Sequence, residues 1–130
     1  MNMFVVMSHR LTEAQVQEIY QRFNIDNIVY LPEQLRNLWG DIPPEGEWDD
    51  CWLQPLKAWL SEQLNQGDKL IVQGEFGATY ALVGWLQNRG FSVYYATSQR
   101  RVTETVEGEQ VFTRRLFEHV NFRKYPGRGD

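Results

Sequence analysis

Three polar segments of this 130-residue chain carry residue types that can handle an anionic ligand. The first is Gln73, Gly74, Glu75, Phe76, Gly77, Ala78 and Thr79, a strand-to-helix turn by its flanking residues. Glycines at 74 and 77 let a ligand approach the backbone closely, and the free N–H groups at the start of the following helix favour a phosphate. Both glycines would equally serve to make the turn, and G-x-x-G is too short to choose between the two roles. The turn matches neither the P-loop nor the dinucleotide fingerprint, so ordinary ATP or NAD use has no support. Phe76 could stack on a nucleobase or pack into the core. Glu75 is awkward beside an anion; it could contact a ribose hydroxyl or base edge, meet a partner across a dimer, or face water. The second segment is Ser8-His9-Arg10, where His9 can move a proton near neutral pH and Ser8 can donate a hydrogen bond to phosphate. Neighbours at a strand end point to opposite sides, so Ser8 and His9 are not by themselves a nucleophile-base pair. The third is Thr97-Ser98-Gln99-Arg100-Arg101, read as a polar loop.

Other candidates are weaker. His119 reads as a surface residue of the C-terminal strand region. Cys51 is the only cysteine, which excludes an internal disulfide and leaves a partly buried small apolar residue as the favoured role over a reactive thiol. Two histidines and one distant cysteine do not make a zinc site, and Asp49-Asp50 reads as a solvated helix-start pair before it reads as a magnesium site. No metal or other cofactor is expected. A formal net charge of -4 argues against indiscriminate binding to long nucleic acid. The basic residues Arg100, Arg101, Arg114, Arg115, Arg123, Lys124 and Arg128 nevertheless gather after Ala96, where an anion would look.

The elements that must position these segments follow from periodicity. Met3–Met7 is a short apolar run, as in a buried parallel strand, and far below the roughly 18 residues of a membrane span. Thr12 and Gln15 form a capping box before a helix with Val16, Ile19, Tyr20 and Phe23 on one face. Asn27–Leu31 is a second strand stopped by Pro32, and Glu33–Trp39 a short helix. After the loop 40–50, Leu56, Trp59, Leu60 and Leu64 mark a helix over about 53–66, ended by Gly67. Lys69–Gln73 is a third strand, Ala78–Leu86 a helix ended by Gly90, and Ser92–Ala96 a fourth strand. Val102–Val106 and Val111–Phe117, flanking Glu107-Gly108, form a hairpin, with a last strand through Val120 and Phe122 and a frayed tail from Tyr125. Alternating strands and helices predict an α/β fold of Rossmann-like class: one domain over 1–130, a mostly parallel sheet flanked by helices, and a C-terminal β-hairpin at about 101–123. In such a sheet the three polar segments share the carboxyl rim, where ligands bind. The N-terminus carries no secretory signal pattern, so a cytoplasmic, non-membrane protein is expected.

Met7-Ser8-His9-Arg10-Leu11-Thr12, the stretch Val72–Tyr80, and Tyr95-Ala96-Thr97 with Arg100 resemble a small stand-alone family of CRISPR-associated ring nucleases of type III systems. Their fold is like that of the CRISPR-associated Rossmann-fold sensor domains, and the likeness is spread through most of the chain. The resemblance implies a homodimer that binds and cleaves cyclic oligoadenylate, most of all cyclic tetra-adenylate. Cleavage would be metal-independent: a ribose 2'-hydroxyl attacks phosphorus, leaving a linear product with a 2',3'-cyclic phosphate and switching off the antiviral signal. On that reading His9 transfers the proton, Arg100 stabilises charge and Ser8 positions the ligand. Gln73 to Thr79, Thr97, Ser98 and Arg101 would bind it. Two other readings stay open: a non-catalytic sensor or sequestering protein using the same pocket, and a structural protein that assembles through its hairpin edge.

Overall fold

A computed structural model describes residues 1–127. The elements run β1 (Asn2–Val6), α1 (Glu13–Arg22), β2 (Asn27–Tyr30), α2 (Glu33–Gly40), a 3-10 turn (Asp50–Leu53), α3 (Gln54–Gln63), β3 (Lys69–Val72), α4 (Phe76–Asn88), β4 (Ser92–Glu107) and β5 (Gln110–Lys124). They form one five-stranded sheet in the order β2-β1-β3-β4-β5. The first four strands are parallel, and β5 returns antiparallel to β4. The expected α/β class, mostly parallel sheet and C-terminal hairpin are all present.

Strand alternation sorts the core into two layers. Phe4 and Val6 of β1 face the side covered by α2, α3 and α4, where they meet Trp39, Leu56, Leu60 and Leu82. Met3, Val5 and Met7 face α1 and pack with Ile19, Phe23, Tyr94 and Phe122. The capping box forms as the sequence predicts: Thr12 Oγ1 accepts from the Gln15 N–H, and Gln15 Oε1 accepts from the Thr12 N–H. Tyr20, counted on the apolar face, is instead 48% exposed.

Several expectations need correction. The run Thr97–Arg101 is not a loop. It lies inside β4, paired with β5 from Tyr94↔Lys124 out to Glu107↔Gln110, so the hairpin spans 92–124 and not 101–123. The proposed break between Val111–Phe117 and a last strand is likewise absent, because β5 is continuous. The physical reason is pairing: each strand supplies the other's hydrogen bonds, and this outweighs the polar composition that read as loop. One irregularity survives at Thr97/Ser98, where the register shifts from Asn121 to His119 and Val120 becomes the extra residue.

The helix expected over 53–66 divides into the 3-10 turn and α3, with Pro55 in the first turn of α3 and Leu64 as its C-cap. Gly67, at φ +92, makes the turn into β3 and does not cap the helix. The tail is not frayed at its start. Tyr125 donates its N–H to the Val93 carbonyl and its hydroxyl to the Val72 carbonyl at 2.7 Å. Residues 128–130, including Arg128, lie outside the described residues. No helix among the described residues is long and apolar enough to cross a membrane.

Candidate functional site at the strand ends

The chain leaves β1 toward β2 on one side, while β3 lies on the other. The carboxyl ends of β1 and β3 therefore flank the point where strand order reverses, the usual ligand position in an open α/β sheet. Gln73 stands at this point and ties three elements together. Its N–H donates to the Val6 carbonyl at 3.1 Å, and its carbonyl accepts from the Trp39 indole at 2.8 Å. Its side-chain Oε1 accepts from the Ala96 N–H at 3.0 Å. The β3–β4 ladder ends at Ile71↔Tyr94, so this side chain continues the pairing where the backbones part.

A crevice of about 640 Å³ opens on the α1 side of this junction. His9, Gln73, Thr97 and Ser98 line it, together with Phe117, Glu118 and His119 from β5. His9 is exposed, its Nδ1 lying 3.1 Å from the Arg10 carbonyl. Ser8 does not join it. It faces Gly40 at the end of α2, where a Cβ on that glycine would lie 3.0 Å from Ser8 Cβ. The alternation that separates Phe4 and Val6 from Val5 and Met7 carries Ser8 to the opposite side from His9.

The glycine-containing turn is built differently from the expectation. Glu75 is the N-cap of α4, and its Oε1 accepts from the N–H groups of Gly77 and of Ala78, the latter at 3.2 Å. The N–H groups of Gly77 and Ala78 assigned to an anion are thus already held by a carboxylate, which also accounts for Glu75. Gly74 is required by packing: a Cβ there would lie 2.5 Å from Trp39 Nε1. Phe76 is not a core residue but 94% exposed. Thr79 lines a separate cavity on the α4 side and holds a buried Oγ1 without a hydrogen-bond partner among the described residues.

On β4, the Thr97 hydroxyl is occupied with Asn121, 2.6 Å from its Oδ1 and 3.0 Å from its carbonyl, and it accepts the Asn121 N–H at 3.3 Å. Arg100 and Arg101 sit on the exposed ribbon at the crevice border and do not line it. Arg101 Nε is 3.0 Å from Glu118. Arg100 pairs in register with Phe117 and forms no ion pair among the described residues.

His119 was expected on the surface, yet its side chain is only 8% exposed. Its Nε2 lies 2.7 Å from Glu18 Oε1, and its buried Nδ1 has no partner among the described residues. Glu18 also accepts from the Phe122 N–H and from Arg22, each at 2.8 Å. Partial burial pushes the Glu18 carboxyl up, but these three hydrogen bonds outweigh it and hold the pKa below the usual 4.5. The signal that could have found this cluster is the outward Glu18 on a helix face beside a histidine on a strand 101 residues later, a pairing visible only once α1 and β5 are adjacent. Cys51 is exposed, not buried, and hydrogen bonding with Asp49 followed by that carboxylate's charge pushes its thiol above the ordinary range. Asp49 caps the 3-10 turn through the Cys51 N–H, and Asp50 accepts from the Trp48 indole, as a helix-start pair should.

The chain matches the model of the family described as "Uncharacterized protein MJ1673 family" over residues 1–123. It is 34% identical over 123 residues to "Uncharacterized protein MJ1673" of Methanocaldococcus jannaschii, a span covering 95% of each chain. No solved structure matches it. A family match over residues 1–123 and this identity over nearly the whole of both proteins place the chain in the MJ1673 family.

Proposed function

We propose that this protein is a ring nuclease that binds cyclic oligoadenylate, cyclic tetra-adenylate foremost, and opens the ring without a metal ion. The observation that carries the reading is the meeting of His9, Gln73, Thr97 and Ser98 in one crevice at the reversal of strand order. The ribose 2'-oxygen would form a bond to the adjacent phosphorus while the bond to the 5'-oxygen breaks. The proton lost from the 2'-hydroxyl goes to a base, and the leaving 5'-oxygen gains one. In-line placement of the ribose and donors for the phosphate oxygens supply most of what such a displacement needs. His9 is the exposed imidazole at the crevice and takes the proton-transfer role. Arg100 supplies positive charge from the border. Ser8 faces α2 and is left without a direct role in this crevice. A homodimer suits a symmetric ring, one crevice meeting each half. A cytoplasmic location belongs to this reading.

The non-catalytic sensor is the second reading, favoured by one observation: the Thr97 hydroxyl and the Gly77 and Ala78 N–H groups are all engaged within the protein. Assembly through the hairpin is a third, favoured by Phe117, Val106 and Val120 standing exposed on a long ribbon. Incubating the protein with cyclic tetra-adenylate, with and without EDTA, and separating the products distinguishes them. A linear product ending in 2',3'-cyclic phosphate in both samples is expected. An intact ring that co-elutes with the protein removes the nuclease and keeps the sensor. Neither binding nor cleavage with rings of any size leaves only assembly.

A further inference from the structure

On the α4 side of the sheet, opposite the crevice, lies a second cavity of about 510 Å³ that shares Gln73 with it. Its walls are aromatic. Tyr95 and Tyr125 pack with ring centroids 4.7 Å apart at 44°, and Phe76 and Tyr80 project from the first turns of α4 with 94% and 72% exposure. From this arrangement we infer that the cavity is a purine-nucleotide site, the base lying among these rings and the phosphate at Arg123.

Three features select that class of occupant. Flat rings on several sides match a planar heterocycle, since every base has a π-face that can stack on an aromatic side chain. Phe76 is the first residue of α4, directly after the Glu75 cap, and stands exposed at the cavity wall. Finally, Arg123 lies beside the Tyr95 wall, its guanidinium 5.9 Å from the ring centroid and 3.4 Å from the hydroxyl. A cation at the rim of an aromatic slot matches a nucleotide better than a free base. The cavity floor is firm, because Tyr125 is fixed by its hydroxyl to the Val72 carbonyl.

The inference rests on the ring-nuclease reading for its natural ligand, an adenylate unit, and on its own geometry for nucleotide binding. The probe is AMP, followed by proton NMR of the aromatic resonances, with adenosine and ribose 5-phosphate as comparators. AMP should give saturable shifts of tyrosine and phenylalanine signals, with ribose 5-phosphate binding at least roughly ten-fold more weakly for want of stacking. Phe76→Ala, a change at an exposed ring, should weaken AMP about ten-fold, the loss of one stacking partner. Arg123→Gln should weaken AMP but not adenosine. No saturable shift with AMP, or an affinity unchanged in Phe76→Ala, overturns the site. So does a concentration-dependent dimer that Phe76→Ala abolishes without any effect of AMP, which would make the aromatic patch an interface between copies. AMP binding without cleavage of cyclic tetra-adenylate keeps this site and removes the nuclease. Cleavage without AMP binding does the reverse.

Discussion

Replacing Glu18 by alanine tests how the hairpin is fastened to the rest of the domain. The carboxylate accepts from His119 Nε2, the Phe122 N–H and Arg22, with its side chain 16% exposed. Removing it leaves the buried His119 and the Phe122 N–H without acceptors, each at about 1–3 kcal/mol. Arg22 is 44% exposed and also donates to the Phe122 carbonyl, so its lost ion pair adds little. The expected loss is about 3 kcal/mol, or a melting temperature lower by roughly 10 °C for a domain of this size. Glu18→Gln keeps an acceptor for the Phe122 N–H and should lose about half as much. The pH dependence has a definite sign. The Glu18 pKa is depressed below 4.5 in the folded protein, so its contribution is complete above that value and fades as pH falls through the folded pKa. Urea unfolding of both proteins from pH 7 to pH 3 should therefore show their stability difference shrinking in acid. Hydrogen exchange should show the Phe122 amide losing protection first. A difference below about 0.5 kcal/mol at pH 7, or one that grows in acid, would refute the carboxylate as the fastening point.

Three further outcomes follow from the same geometry. Gly74→Ala drives a methyl against Trp39 and should cost about 1–3 kcal/mol, with a change in tryptophan fluorescence reporting the displaced indole; unchanged emission and stability would show that the packing yields. Glu75→Ala removes the cap of α4, at about 1 kcal/mol, and frees two N–H groups; inorganic phosphate should then raise its melting temperature more than that of the parent, and equal shifts would mean that the turn has no latent anion site. Tyr125→Phe strips the hydroxyl from the Val72 carbonyl and should destabilise by about 1 kcal/mol in chemical unfolding, whereas no loss would show the tail to be docked by its ring and its backbone N–H to Val93 without the hydroxyl.

Much of the fold was legible because local and global signals agree. The capping box at Thr12, the apolar runs of β1 and β3 and the spacing of Leu56 and Leu60 each specify their element without help from distant residues. Thr97–Arg101 misread because its strand character comes from the partner: composition alone says loop, and only the register with Glu118 and Phe117 makes it a ladder. The site was legible as segments and not as roles. Gln73, His9, Thr97 and Ser98 do converge. Glycine at 74, however, reports the indole of Trp39, which lies 34 residues before the Gln73 whose carbonyl it contacts, and nothing near position 74 announces it. The same holds for Tyr95 and Tyr125, which meet only because β5 runs back beside β4.

That β4 runs through the rim as a paired strand also decides between the two arginines. In a loop, Arg100 and Arg101 would be interchangeable, since either could swing toward a phosphate. On a strand they point to opposite faces. Arg101 is on the face of Glu118 and is paired with it, so that pair brings no net positive charge to the crevice border. Arg100 is on the face of Phe117 and of His119, which turns to Glu18 on the α1 side where the crevice opens, and has no acidic partner among the described residues. The ladder that removed the third loop thus turns a diffuse basic run into a single uncompensated guanidinium. If charge stabilisation is needed there, Arg100→Ala should slow cleavage in a single turnover far more than Arg101→Ala. Equal effects would mean that the strand does not hold the two side chains apart.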